Sequence, residues 1–476
     1  MPTVGLHTDI TSLVNAIVAG DTEQMTGIAR DLVTNGAGAS ELIGRIGMIA
    51  ARGDSEGHII LALAAASMMS RWFVSLQHVR GEDPMDHRPE LPLLLQAASA
   101  AMPFVQTGSK VEEHYPEPLF PSGLPEGQTV NTALTDAIFK GDALMVERLL
   151  FGLYGTGADY RATCIRVYDG ISTTFQRAGH PLMFAVRGFQ LLDAVEWSTR
   201  TPTILHWLAP HIPVHTEEPT WVETVRSFLS EPSHSLASYR TRLAAPRDEA
   251  ALPLRRLILS DATMPQICSG VFDALMKNGA SSRGIGSVLA LTATDLLQRV
   301  GDSDREAFVN AAHGLLYIAA ARVAFTQVQE VEALPIMFMA ACYLHALHSE
   351  LPAQAAAAQP AAARSTIIGG GLIAPSLLET LGEQLNAQDL NGAFATARRY
   401  VLLGHDARAM FAIIALAAAQ ADAAADSGHT LQIVQAAGEE YMAWPVALRD
   451  TNIEGLLHAA LRAVIFATRN AQATNM

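Results

Sequence analysis

Histidine is the residue type in this chain whose spacing most suggests chemistry. Three glycine–histidine pairs, Gly57-His58, Gly179-His180 and Gly428-His429, each open an apolar run: HIILALAAA, HPLMFAV and HTLQIVQAA. The three histidines follow Asp21, Asp142 and Asp389 at similar distances. A second set, His87, His206, His313 and His458, trails them, with Gly286 at the place where a fourth glycine–histidine pair would precede His313. His206, His313 and His458 have apolar helical settings, whereas His87 sits among Asp86, Arg88 and Pro89 and reads as loop.

Imidazoles recurring at one position of a repeated helix pair would converge if the copies pack about a common axis. Neutral imidazole suits iron, zinc, copper and nickel, and such a set with an open position is a redox or Lewis-acid centre. The pattern therefore predicts a buried non-haem metal site held by His58, His180, His313 and His429, with His313 substituting for the histidine missing at Gly286. His206 and His458 are the reserve ligands. The competing reading is structural: a histidine after glycine near a helix start can cap the helix or satisfy a core hydrogen bond.

Other residues qualify as helpers. Tyr317 lies one turn after His313 on the same side, as a proton donor would. Arg187, inside the apolar run after His180, needs a partner if buried; it could hold an anionic or phenolic substrate, or pair with Asp193 or Glu196. Asp54, Glu56 and Asp426 precede histidines closely enough to orient an imidazole or to cap a helix. His345 and His348 share a helix face near a helix end and read as a surface pair. No HExxH and no pair of ExxH motifs occurs, which removes the common zinc-protease and ferritin-like readings. IIGGGLI at 367–373 lacks the strand of a dinucleotide loop and reads as a hinge.

The elements that must position these groups are helices. Strand-type alternation is scarce, while alanine-rich windows with apolar residues three and four apart run throughout, so the class is all-α. An internal repeat organises them. TSLVNAIVAGD at 11–21 and TALTDAIFKGD at 132–142 agree at Thr, Leu, Ala, Ile, Gly and Asp in one register, and ETLGEQLNAQD at 379–389 keeps Leu381, Leu385 and Asp389. A more diverged copy near 236–248 ends on Asp248. Four copies result: residues 1–102, 131–222, 223–351 and 376–476, separated by a Pro-rich linker at 103–130 and an Ala/Gly/Pro linker at 352–375. Ser303 with Glu306 has capping-box spacing and would start the His313 helix.

Composition narrows the function classes. Half of the 476 residues are hydrophobic, 17% are charged and mean hydropathy is +0.20, enough for a large core. Net charge is -15 and the only lysines are Lys110, Lys140 and Lys277, so neither nucleic acid nor an anionic membrane surface is expected as partner. Cys164, Cys268 and Cys342 are too scattered for a disulfide framework or zinc knuckle, which points to a reducing, cytoplasmic location. No basic leader opens the chain, and no uncharged apolar run reaches about 18 residues. Ile59 to Met69 and Leu334 to Leu344 are expected as buried helices.

GHPLMFAVRGFQLLDAV at 179–195 resembles the GHPL-type helical motif of the questin oxidase-like proteins. AHGLLYIAAARVAF at 312–325 and GHTLQIVQAA at 428–437 resemble the His-bearing helices of related domains found fused to Rieske ferredoxin modules. The resemblance implies an all-helical oxygenase acting on polycyclic aromatic or quinone-like substrates, with iron held by histidines that a modified lysine can join. His180, His313 and His429 sit on matching motifs; His58 is added by the internal repeat. Phe184 stands where the motif often has a second histidine, and no lysine lies in these helices. With no Rieske pattern present, a reductant would be a separate protein or the substrate itself. The combined expectation is an iron-dependent oxygenase using O2 on an apolar aromatic or quinone-like substrate, able to self-associate. The alternatives are a helical-repeat scaffold without catalysis and a metal-free small-molecule binder.

Overall fold

The computed structural model describes residues 9–474, apart from 158–159, 196, 198–199, 240–245, 302–303, 329–330, 352–373, 422 and 424–425. Every regular element is helical, with no strand among the described residues.

Segments 11–34, 130–155 and 374–402 each form a helix pair hinged at an aspartate. Asp21, Asp142 and Asp389 each sit between two helices and cap the second. Their carboxylates accept from the backbone N–H of Gln24, Met145 and Gly392 at 2.9, 3.0 and 2.9 Å, which satisfies amides that a helix start leaves without partners. The third copy departs from this pattern. Asp248 opens a short 3-10 turn and accepts from Ser281, and Gly286 lies inside helix Ser282–Arg299 instead of before a histidine helix. Helix Arg305–Val328 begins more than two turns ahead of His313. Its cap is Asp304, which accepts from Ala307 N–H at 2.9 Å; Ser303, expected as the cap, lies outside the described residues.

Four helices make the centre: His58–Ser70, His180–Val195, Arg305–Val328 and His429–Met442. Each packs against the next and the last closes on the first. Cross-helix contacts run in step from the histidines onward, Arg187 meeting Gln435, Arg322 meeting Glu440, and Gly428 and Gly438 lying against Ala62 and Trp72, so the four run parallel with their imidazoles at one level. Helices Ala39–Ala50, Tyr160–Ile171, Ser282–Arg299 and Ala407–Ala418, each preceding a central helix in the chain, cover them from outside. Burial on all sides explains why the central helices are apolar around nearly their whole circumference.

Ile59 to Met69 and Leu334 to Leu344 lie in buried helices, as expected. His58–Arg80, Arg305–Thr326 and Val331–Glu350 are long and apolar enough to cross a membrane by length and composition, but 78%, 83% and 72% of their apolar windows are buried inside the protein. The Pro-rich linker starts later than expected, because helix Leu91–Gly108 runs through Pro103. Pro103 and Ser99, the residue whose carbonyl loses a partner there, both face solvent, where water can replace the missing hydrogen bond. The glycine run and most of the second linker lie outside the described residues.

Candidate metal centre

The three glycine–histidine starts share one backbone device. Gly57, Gly179 and Gly428 take φ of +89°, +84° and +71°, and the histidine that follows is the first residue of its helix. This left-handed step turns the chain sharply enough to bring each histidine in at the bundle's end. Each glycine also lies hard against the next central helix. A Cβ would stand 2.4 Å from Phe184 at Gly57, 2.2 Å from Tyr317 at Gly179 and 2.2 Å from Ala62 at Gly428. Phe184, Tyr317 and Ala62 all lie four residues after a central histidine, His180, His313 and His58. Glycine thus sets how closely the histidine ends approach.

The carboxylates beside the histidines serve the backbone. Asp54 accepts from Gly57 N–H at 2.9 Å, and Asp426 accepts from Thr430 N–H and Oγ1 at 3.0 and 2.5 Å. Backbone carbonyls orient the rings instead. Nδ1 of His180 donates to the Arg177 carbonyl, that of His313 to Val309 at 2.9 Å, and that of His429 to Asp426 at 2.5 Å. A carbonyl only accepts, so each of these Nδ1 atoms carries the proton and each Nε2 presents a lone pair.

The four rings form a closed cycle, with centroids 5.0 Å apart for His58 and His180, 5.2 Å for His180 and His313, 5.0 Å for His313 and His429, and 6.0 Å for His429 and His58. Within it, Nε2 of His58 faces Nε2 of His180 at 3.1 Å, and Nε2 of His313 faces Nε2 of His429 at 3.3 Å. Among the described residues no three metal-ligating side chains reach coordinating geometry together, so the arrangement is two facing pairs. The pairs have the right span. Bonds of ~2.0–2.1 Å from one ion place neighbouring nitrogens roughly 2.9 Å apart at a right angle and roughly 3.4 Å apart at the tetrahedral angle.

Electrostatics favour the neutral form of His58, His180 and His313. His180, His313 and His429 are 7, 8 and 9% exposed, while His58 is more open and marks the side facing solvent. Burial, reinforced by the neighbouring imidazoles, lowers the His180 pKa to about 2 and that of His313 to about 4, and burial also lowers that of His58. The positive ends of three helix dipoles act in the same direction. A crevice beside His429, lined by Arg305, Phe308, Asp426 and Phe466, has room for little more than a water, about 10 Å³. A larger cleft of about 500 Å³ between Ile10, Arg45, Arg52 and Arg200 shares no residue with the histidines.

The remaining candidates lie elsewhere or act differently. His206 is bonded to Glu147 at 2.5 Å and edges against Tyr115, and His458 meets Phe394 edge-on at 5.7 Å; neither is among the four rings of the cycle. Tyr317 buttresses Gly179 and packs against Phe175 and Tyr343, with burial pushing its hydroxyl pKa up and no hydrogen bond to the imidazoles among the described residues. Arg187 is buried and held by Gln190 and Gln435 at 2.8 and 2.5 Å, which replaces the expected pairing with Asp193; Glu196 lies outside the described residues. Asp193 accepts from Trp197. His345 is buried and bonded to the Ile258 carbonyl, so it is not a surface residue.

Two neighbours of the cycle carry no repeat signal in the sequence. His211 lies tilted against Phe184, with ring centres 4.8 Å apart, and its pKa is lowered to about 4 by burial, with Arg177 and His58 adding to the shift. Arg177 lies over Phe184, 5.9 Å from the ring centre. No protein-family model, no curated protein and no solved structure matches this chain.

Proposed function

We propose that the histidine cycle binds a transition-metal ion and that the protein is a non-haem metal oxidoreductase, an oxygenase of apolar aromatic or quinone-like substrates. One observation carries the reading. His313 and His429 have both committed their Nδ1 protons to carbonyls, yet their Nε2 lone pairs face each other at 3.3 Å. Two lone pairs at that distance repel unless a cation lies between them. A proton is disfavoured, because burial holds His313 far below its ordinary pKa; a metal ion answers the same demand and uses the neutral form.

Within this reading His58, His180, His313 and His429 are the ligands, and His206 and His458 are not. An all-imidazole set serves iron, copper, zinc or nickel; iron, with O2 as co-substrate, rests on the resemblance of the histidine helices to the questin oxidase-like proteins. The metal when bound supplies a Lewis-acid and redox centre. The chain's own residues do the rest: the carbonyls of Arg177, Val309 and Asp426 fix each ring's tautomer, and Phe184 walls the site beside His58 and His180 against water. A cytoplasmic setting fits Cys268 and Cys342, which are free thiols with sulfurs 3.6 Å apart. Electrons come from a separate donor or the substrate.

Elemental analysis of untagged protein tests this. Near-stoichiometric metal is expected, lost in His58→Ala, His180→Ala, His313→Ala and His429→Ala and retained in His206→Ala and His458→Ala. Folded, metal-free protein that cannot be reconstituted refutes it.

A further inference from the structure

We propose that the mouth of the histidine centre is built for an oxyanion, a carboxylate, enolate or phenolate, with Arg177 as the positioning residue that takes it. The inference rests on the metal reading and goes beyond it by assigning the substrate's charge. Imidazole binds a metal in its neutral form, so four of them would leave a divalent ion with its full double charge. The near carboxylates do not offset it: Asp54 is engaged by Gly57 and Ile60 amides, and Asp426 by Thr430 and by Arg305 at 3.3 Å. Glu56, whose field reaches His58, stands in solvent that screens it. A partly desolvated centre of that charge would favour an anion at an open position.

Arg177 is placed to take the other end of that anion. It lies three residues before His180 on the more open side of the cycle, and its guanidinium rides over the Phe184 ring, itself 5.4 Å from His180 and 6.2 Å from His58. Arg177 is exposed and has no acidic partner among the described residues. Its backbone is strained: Arg177 and Ala178 hold φ of +48° and +55° ahead of Gly179, a run that side-chain-bearing residues avoid and that persists where a functional geometry requires it. The same strained residue orients His180 through its carbonyl and presents the cation.

The test uses the full chain loaded with Co2+, whose visible spectrum reports ligands at the metal, titrated with benzoate and with its neutral isostere benzamide. Arg177→Gly removes the guanidinium and relieves the left-handed backbone, so the fold is expected to tolerate it; Arg177→Lys keeps a charge. Benzoate is expected to bind wild type at least about ten-fold more tightly than benzamide, to weaken about ten-fold in Arg177→Gly and to recover partly in Arg177→Lys. Benzamide affinity and Co2+ content should not change. Co2+ uptake with benzoate affinity equal in wild type and Arg177→Gly overturns the anion assignment alone. Failure of wild type to take up Co2+ overturns the metal centre and this inference with it.

Discussion

Substituting alanine for Gly179 asks whether close approach, and not only backbone freedom, builds the centre. At φ +84° an alanine pays about 1–2 kcal/mol for the left-handed conformation. Its Cβ would also stand 2.2, 2.7 and 3.0 Å from Cδ2, Cε2 and Cγ of Tyr317. Carbon atoms rest at about 3.5–4.0 Å, so the ring must retreat by more than about 1 Å. Tyr317 is 2% exposed and hemmed in by Phe175 and Tyr343, so that retreat is overpacking, worth about 1–3 kcal/mol more. Gly157→Ala is the matched control: its φ is +75° and, among the described residues, nothing lies within 4 Å of the added carbon, so the backbone cost dominates. Urea unfolding of the two variants should place Gly179→Ala about 1–3 kcal/mol below Gly157→Ala, with Co2+ affinity reduced in the first and unchanged in the second. Equal destabilisation, or intact metal affinity in Gly179→Ala, would refute the claim that this contact sets the position of His180.

Acid should weaken the fold through the same histidines. His180, His313 and His211 are held neutral with folded pKa values of about 2, 4 and 4 against an ordinary 6.5. Below pH 6.5 the unfolded chain therefore binds more protons than the native one. Stability is full above pH 6.5 and falls as pH drops toward 4, by up to about 1.4 kcal/mol per pH unit for each ring. Urea midpoints at pH 7 and pH 5 should show the loss, and His313→Gln should flatten it; a midpoint rising on acidification would contradict the neutral assignment. Deeper in the bundle, Arg322 lies 3.0 Å from Glu440, which also accepts from Ser287 at 2.6 Å. Arg322→Met leaves a buried carboxylate without its cation and should cost about 3–5 kcal/mol, with much of it recovered in Arg322→Met/Glu440→Gln. Equal stability of the single and double variants in a thermal melt would deny the pair that role.

The helical class, the aspartate hinges and the glycine–histidine starts are legible along the chain because each follows from neighbours within a few residues: helix periodicity, a cap, a left-handed glycine. The same locality accounts for what could not be read. Arg187 was expected to hold a substrate or to meet Asp193 or Glu196 nearby in the chain, but it is held by Gln190 and by Gln435, which comes from a helix far away in sequence. Pro103 reads locally as a helix stop, yet it lies on a solvent-facing side of a helix that the core holds together. His211 and Arg177 belong to no repeat pattern and become relevant only through what packs near them.

By itself the sequence determined the helices, their starts and a short set of histidines on apolar faces. Tertiary structure decided which of those histidines meet. His206 and His458 lie on helices of similar local character to the chosen four, but they face Glu147 and Phe394. His58, His180, His313 and His429 converge because their four helices run parallel and close on one another, with glycine at three of the contacts. The direction of a side chain relative to helices hundreds of residues away depends on how the apolar faces bury one another, which no local pattern encodes.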